Sequence, residues 1–163
     1  MMGSIAIVER LAERLQALNW TMSTAESCTG GMVAANITKL AGSSAWFERG
    51  YVTYSNDAKQ QDLNVNPQSL LQFGAVSEEV AGEMALGCLT KSKTNASLSV
   101  TGIAGPTGGS EKKPVGTVCF AWCINGKVYT KTTFFKGDRE AIRVQACDYV
   151  LKTLLEHIDT VHD

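Results

Sequence analysis

Thr24-Ala25-Glu26-Ser27-Cys28-Thr29-Gly30-Gly31 joins an extended segment, Thr21 to Ala25, to a helical pattern running from Met32 to Leu40. A hydroxyl at such a junction faces the first unpaired N–H groups of a helix, where negative charge is stabilised. Gly30 and Gly31 leave room for a ligand to approach the backbone. This arrangement suits a serine nucleophile whose reaction passes through an oxyanion. It equally suits a plain helix cap by Ser27 or Thr29, the commoner use of such residues. From the octet alone both readings stand.

Outward from the octet the chain alternates helix and strand. Ile5 to Leu18 has helical apolar spacing, with Leu11, Leu15 and Leu18 on one side and Glu9, Glu13 and Arg14 largely opposite. Phe47 to Ser55 alternates bulky residues as a strand does. Ser77-Glu78-Glu79 has the character of a helix N-terminus, and that helix is expected to run through Met84 and Leu86 toward Thr90. Ala96 to Val100 predicts a core strand. Asn125-Gly126 separates Val115–Ile124 from Val128–Phe135, a strong hairpin signal. Asp138 is placed to cap a last helix reaching about Glu156. Interleaved helices and strands with one hairpin predict an α/β fold, a three-layer α/β/α sandwich whose mixed sheet contains a β-hairpin. No repeat, low-complexity tract or linker interrupts the chain, so residues 1–163 read as a single domain.

Composition narrows the class. With 163 residues, 44% hydrophobic and 19% charged, the chain can bury one full core and reads as globular and soluble. The formal net charge is −1, and Lys112-Lys113 is too short a basic run for a nucleic-acid footprint. The apolar run from Ile5 to Val8 ends at Glu9 and Arg10, which predicts neither an export signal nor a membrane span. Five cysteines without a C-x-x-C pair fit a reducing cytoplasm. Cys119 and Cys123 share a face of a predicted strand and read as small buried hydrophobes. The two histidines, His157 and His162, lie in the C-terminal tail, and no His-rich metal constellation exists.

Two more segments stand out. Gly50-Tyr51-Val52-Thr53-Tyr54-Ser55-Asn56-Asp57-Ala58-Lys59 puts a tyrosine and a lysine just past a strand. Residues 102–116, Gly-Ile-Ala-Gly-Pro-Thr-Gly-Gly-Ser-Glu-Lys-Lys-Pro-Val-Gly, form a loop long enough to suggest function. It lacks the Gly-Lys-Ser/Thr ending of a Walker A sequence, which excludes that class of nucleoside triphosphatase. Together with the octet, Gly74-Ala75-Val76-Ser77 and Gly137-Asp138-Arg139, these segments closely resemble the CinA C-terminal domain family, from about Thr24 to Gln145. Longer members carry an additional N-terminal domain; only residues 1–23 precede the octet, so that domain is expected to be absent.

The resemblance implies a cytoplasmic nicotinamide-nucleotide amidohydrolase of pyridine-nucleotide recycling, acting without metal or organic cofactor. It further implies a homo-oligomer, a dimer being favoured, with a small nucleotide substrate, no nucleic-acid partner and no membrane. By the family's Ser–Tyr–Lys arrangement, Ser27 is the nucleophile, Lys59 its base and Tyr54 a proton relay or an orienter of the lysine. Such a base must be neutral, which burial or a neighbouring cation achieves by lowering the ammonium pKa.

The residues add further candidates. Backbone N–H groups at Thr29, Gly30 and Gly31, or in the Gly102 loop, suit the oxyanion. The loop's Gly102, Gly105 and Gly108 suit a backbone nest for a phosphate, or a simple turn-rich connection. Arg139 and Arg143 are four apart on one helix face, and Arg139 is the candidate phosphate contact. Glu26 is placed either to orient Lys59 or to cap. Cys28 is a rival nucleophile if its helix-start position lowers its pKa. A non-catalytic nucleotide-binding or regulatory module of the same fold, or a serine amidase for another small amide, uses many of the same residues.

Overall fold

A computed structural model describes residues 3–162; the side chain of His162 lies outside the described residues, as do Met1, Met2 and Asp163. Six α-helices and five strands follow in the order α1 (Ser4–Leu18), β1 (Met22–Glu26), α2 (Met32–Ile37), β2 (Phe47–Val52), α3 (Asn56–Leu63), α4 (Pro67–Phe73), α5 (Glu78–Ser92), β3 (Ala96–Gly102), β4 (Thr117–Ile124), β5 (Lys127–Phe134) and α6 (Arg139–His162). The sheet order is β2-β1-β3-β4-β5. β1 runs parallel to β2 and β3, whereas β4 lies antiparallel to both β3 and β5. The expected mixed sheet and hairpin are present, and Asn125 and Gly126 both take positive φ at the turn, as a tight hairpin requires.

Alternation along the strands separates two unlike faces. Leu98, Val100, Val118, Phe120 and Trp122 enter the larger core with Leu11 and Leu15 of α1, Val33 of α2 and Leu151 and Leu154 of α6. The opposite face carries Ser97, Ser99, Cys119, Ala121 and Cys123, all small and buried. That smallness lets α5 lie close: Ser97 and Ser99 donate their hydroxyls to the Ala85 and Ala81 carbonyls at 2.7 and 2.6 Å. Cys119 and Cys123 pack there with Ala81 and Ala85, as the strand spacing predicted. α3 rests in turn on α5, where a Cβ on Gly87 would stand 1.9 Å from the Leu63 carbonyl oxygen, so any larger residue would push α3 away.

Capping sets several boundaries. Ser77 accepts from Val80 N–H at 3.2 Å at the start of α5, and Asp138 accepts from Ala141 N–H at 2.9 Å at the start of α6. α2 ends at Ile37, shorter than the expected run to Leu40. The extended run from Phe47 is paired only to Val52, because Ser55 leaves the sheet to cap α3 through Ala58 N–H at 3.0 Å.

Candidate active site

The nucleophile and base candidates meet at the C-terminal ends of adjacent parallel strands. Ser27 follows β1, and its N–H donates to the Val100 carbonyl at 2.9 Å; Thr53 follows β2, and its N–H donates to the Glu26 carbonyl at 2.8 Å. These bonds continue the sheet one residue past its strands and hold Ser27 beside the start of α3. Crevices at the C-terminal strand ends are the usual ligand sites of open α/β sheets. A cleft of about 220 Å³ opens here, with Ser27, Cys28, Tyr54, Lys59, Gly102 and Arg139 on its walls. A larger groove of about 660 Å³ runs past Phe73, Glu78 and Phe134 and shares Val76 with the cleft, but contains neither Ser27 nor Lys59.

Lys59 is 1% exposed. Its Nζ donates to Ser27 Oγ at 2.9 Å, to the Thr53 carbonyl at 2.9 Å and to the Tyr54 carbonyl at 3.5 Å. Burial lowers its pKa below the ordinary 10.5, outweighing an opposing electrostatic effect of Cys28. Burial thus disfavours the charged form of the amine that touches the serine hydroxyl. Ser27, 8% exposed, lines the cleft.

Tyr54 is set differently from a relay. The residue is 61% exposed; its phenol accepts from Arg139 Nη2 at 3.0 Å, while its main-chain carbonyl faces Lys59. With Lys59 in direct contact with Ser27, no phenol stands between them. Arg139 also donates through Nη1 to the Gly105 carbonyl at 2.8 Å, which ties the glycine loop to the cleft rim. Gly105 holds φ +80°, and a Cβ there would lie 2.4 Å from Val115 Cγ1. Gly102 lines the cleft at the end of β3; Gly105, Gly108, Thr29, Gly30 and Gly31 are not among its lining residues.

Neither Ser27 nor Thr29 caps α2. Glu26 does so instead: Oε1 accepts from Gly31 N–H at 3.2 Å and Val33 N–H at 2.9 Å, and Oε2 from Ala34 N–H at 3.0 Å. The Thr29 hydroxyl donates to the same carboxylate at 2.6 Å. A carboxylate with two acceptor oxygens outcompetes a single hydroxyl for these donors. Glu26 thereby takes the capping role and not the orientation of Lys59, leaving the Ser27 hydroxyl for the lysine. The N–H groups of Gly30 and Gly31 are likewise spent, on the Ser27 carbonyl at 3.0 Å and on Glu26.

Cys28 is 7% exposed, and burial pushes its thiol up to about 11, so the expected lowering at a helix start is overturned by desolvation. Arg143 turns away from Arg139 onto the octet, with Nε donating to the Cys28 carbonyl and Nη2 to the Thr29 carbonyl, each at 3.1 Å. His157 stacks on Tyr129 with ring centroids 4.4 Å apart and does not line the cleft. Asn56, at the start of α3, lines the cleft and was missed in the sequence; its only signal was adjacency to the Ser55 cap.

Known proteins resemble this chain over most of its length. Residues 4–158 match the model of the CinA C-terminal domain. The chain is 54% identical to the nicotinamide-nucleotide amidohydrolase PncC of Escherichia coli, over 90% of this chain and 89% of that protein. It is 47% identical to the PncC of Pseudomonas putida, over 92% and 94%. The crystal structure of a CinA superfamily protein from Klebsiella pneumoniae superposes with a TM-score of 0.93 at 37% identity, covering 98% of this chain and 99% of that one. Sequence and architecture agree over nearly the whole length, and the chain belongs to the CinA C-terminal domain family.

Proposed function

We propose that this chain hydrolyses the carboxamide of nicotinamide mononucleotide, giving nicotinic acid mononucleotide and ammonia. The likeness to the PncC amidohydrolases supplies the substrate, and the 2.9 Å contact between the buried Lys59 amine and Ser27 Oγ carries the mechanism.

Neutral Lys59 accepts the Ser27 hydroxyl proton as Oγ attacks the amide carbon. The tetrahedral intermediate places a negative charge on the former carbonyl oxygen, which main-chain N–H groups of the octet stabilise. Lys59 then gives its proton to the departing nitrogen, and ammonia leaves an ester on Ser27. Water attacks that ester with Lys59 again taking the proton; collapse releases the carboxylate and returns the proton to Ser27. Arg139 contacts the substrate phosphate, with the exposed phenol of Tyr54 keeping the guanidinium at the rim. Gly102 lets the end of β3 form a close wall of the cleft.

The enzyme acts as one domain in the cytoplasm, in pyridine-nucleotide recycling, and assembles as a homodimer without nucleic-acid partners. No described helix is long and apolar enough to cross a membrane. The deciding experiment measures ammonia and nicotinic acid mononucleotide together across a panel of nicotinamide nucleotides. Stoichiometric release of both from the mononucleotide is expected. Binding without turnover would instead favour a non-catalytic nucleotide-binding module.

A further inference from the structure

The geometry points to Asn56 as the specificity-determining residue that reads the substrate's carboxamide, its side-chain oxygen accepting an N–H of the group that leaves as ammonia. The inference rests on the amidohydrolase reading of the cleft.

Helix periodicity places Asn56 beside the base. Asn56, Lys59 and Leu63 are three and then four residues apart, so they form one stripe along α3. Lys59 and Leu63 are the buried members of that helix, whereas Asn56, in the first turn after the Ser55 cap, is exposed and lines the cleft. The stripe that carries the Lys59 amine to Ser27 Oγ at 2.9 Å therefore reaches the cleft wall as a side-chain amide.

An account of the cleft's polar side chains singles this amide out. Lys59 Nζ holds Ser27 Oγ and the Thr53 and Tyr54 carbonyls. Thr101 donates its hydroxyl to the Ala75 carbonyl at 2.9 Å. Arg139 is shared between the Gly105 carbonyl and the Tyr54 phenol. Of the lining side chains that carry oxygen or nitrogen, only that of Asn56 has no hydrogen-bond partner among the described residues. The neighbouring Ser55 takes the capping bond to Ala58 N–H, which leaves Asn56 uncommitted.

The reaction sets which end of the amide meets the ligand. Lys59 returns a proton to the departing nitrogen, so that nitrogen must approach the Lys59 stripe of α3. A carboxamide nitrogen carries two donors. Asn56 Oδ1 accepts one of them, and the nitrogen lone pair of the tetrahedral intermediate is left for the Lys59 proton. An ester, or the carboxylate product, brings no N–H to that oxygen, and a polar group left unmatched discriminates against it.

The test titrates Ser27→Ala and Ser27→Ala/Asn56→Ala with nicotinamide mononucleotide and with the methyl ester of nicotinic acid mononucleotide, and follows turnover of the parent, Asn56→Ala and Asn56→Asp. Loss of the amide is expected to weaken binding of the mononucleotide about tenfold, the scale of one hydrogen bond, and of the ester less than about threefold. The kcat/KM of Asn56→Ala for the mononucleotide should fall at least as far. Asn56→Asp keeps an acceptor oxygen and suits a helix first turn, so it should retain amide turnover. Its carboxylate, one turn from Lys59, favours the ammonium and should move the rising pH limb of kcat/KM upward. Equal losses for amide and ester, parental kcat/KM in Asn56→Ala, or an unmoved limb in Asn56→Asp overturns the proposal. If Asn56→Ala fails to fold, the pH limb of Asn56→Asp decides. A parent that binds the mononucleotide without releasing ammonia removes the proposed function and leaves the titrations to judge the Asn56 contact; a parent that does neither removes both.

Discussion

The Thr29 hydroxyl donates to the Glu26 carboxylate at 2.6 Å, so the residue just before the proposed nucleophile and the one two after it are tied together beneath the cleft. Glu26 is 1% exposed and also takes three N–H groups from the first turn of α2. A loop containing two glycines is thereby fixed at the point where a reaction needs rigidity.

Glu26→Ala leaves those four donors without their carboxylate. Unpaired buried donors cost about 1–3 kcal/mol each, and partial wetting recovers some of that. We expect a loss of about 3–5 kcal/mol in urea unfolding, with a smaller loss for Glu26→Gln, which keeps one acceptor oxygen. Equal stability of Glu26→Ala and the parent would show that α2 does not depend on this cap.

Ser27→Ala removes the attacking oxygen from a nearly buried position and opens little space. It is expected to abolish ammonia release while nucleotide binding and the thermal midpoint stay close to the parent. Cys28→Ser, by contrast, exchanges one small side chain for another, so turnover should remain within about tenfold. The thiol, pushed up to about 11, is protonated at neutral pH and is a poor nucleophile. An active Ser27→Ala beside an inactive Cys28→Ser would transfer the chemistry to sulfur.

Local signals made much of the fold legible. The Asn125-Gly126 turn, the Ser77 and Asp138 caps and the alternation in β4 each lie within a few residues of what they control. α3 and α4 escaped notice because their apolar pattern is weak. The inward residues of α3 are Lys59 and Leu63, and a buried lysine hides the stripe that would reveal a helix; α4 buries none of its residues. Asn66 followed by Pro67, a cap before an N1 proline, was the signal available for α4. At the site, the meeting of Ser27 with Lys59 was anticipated from family resemblance. The Arg143 contact spans 115 positions, and the phenol of Tyr54 meets Arg139 across 85, so neither follows from local sequence.

Arg139→Ala should act on substrate choice more than on chemistry. Its guanidinium reaches the rim from α6, held by Tyr54 and the Gly105 carbonyl, and contacts no reacting group. We expect kcat/KM for nicotinamide mononucleotide to fall about 10–100-fold, while the dephosphorylated riboside is affected several-fold less, as loss of a charge-assisted contact requires. Tyr54→Phe, which removes only the hydroxyl that braces Arg139, should produce a weaker version of the same selectivity change. A large fall in kcat on both substrates would return Tyr54 to the proton path.

Lys59→Met separates the base from its surroundings through pH. Activity requires the neutral amine, so kcat/KM should rise with pH through the Lys59 pKa, which burial holds below 10.5. Lys59→Met should be nearly inactive at every pH and lack that limb. Stability supplies an independent reading. Because the folded-state pKa is depressed, the unfolded chain binds more protons between that value and 10.5, and the parent gains stability as pH rises across the window. Below the window the parent bears the whole cost of a buried ammonium, whereas methionine never bears it. The stability of Lys59→Met relative to the parent should therefore be most favourable at low pH and decline toward pH 10.5. Parallel unfolding curves whose difference does not change with pH would mean that Lys59 keeps its ordinary pKa in the folded protein, and a lysine charged at neutral pH could not take the Ser27 proton.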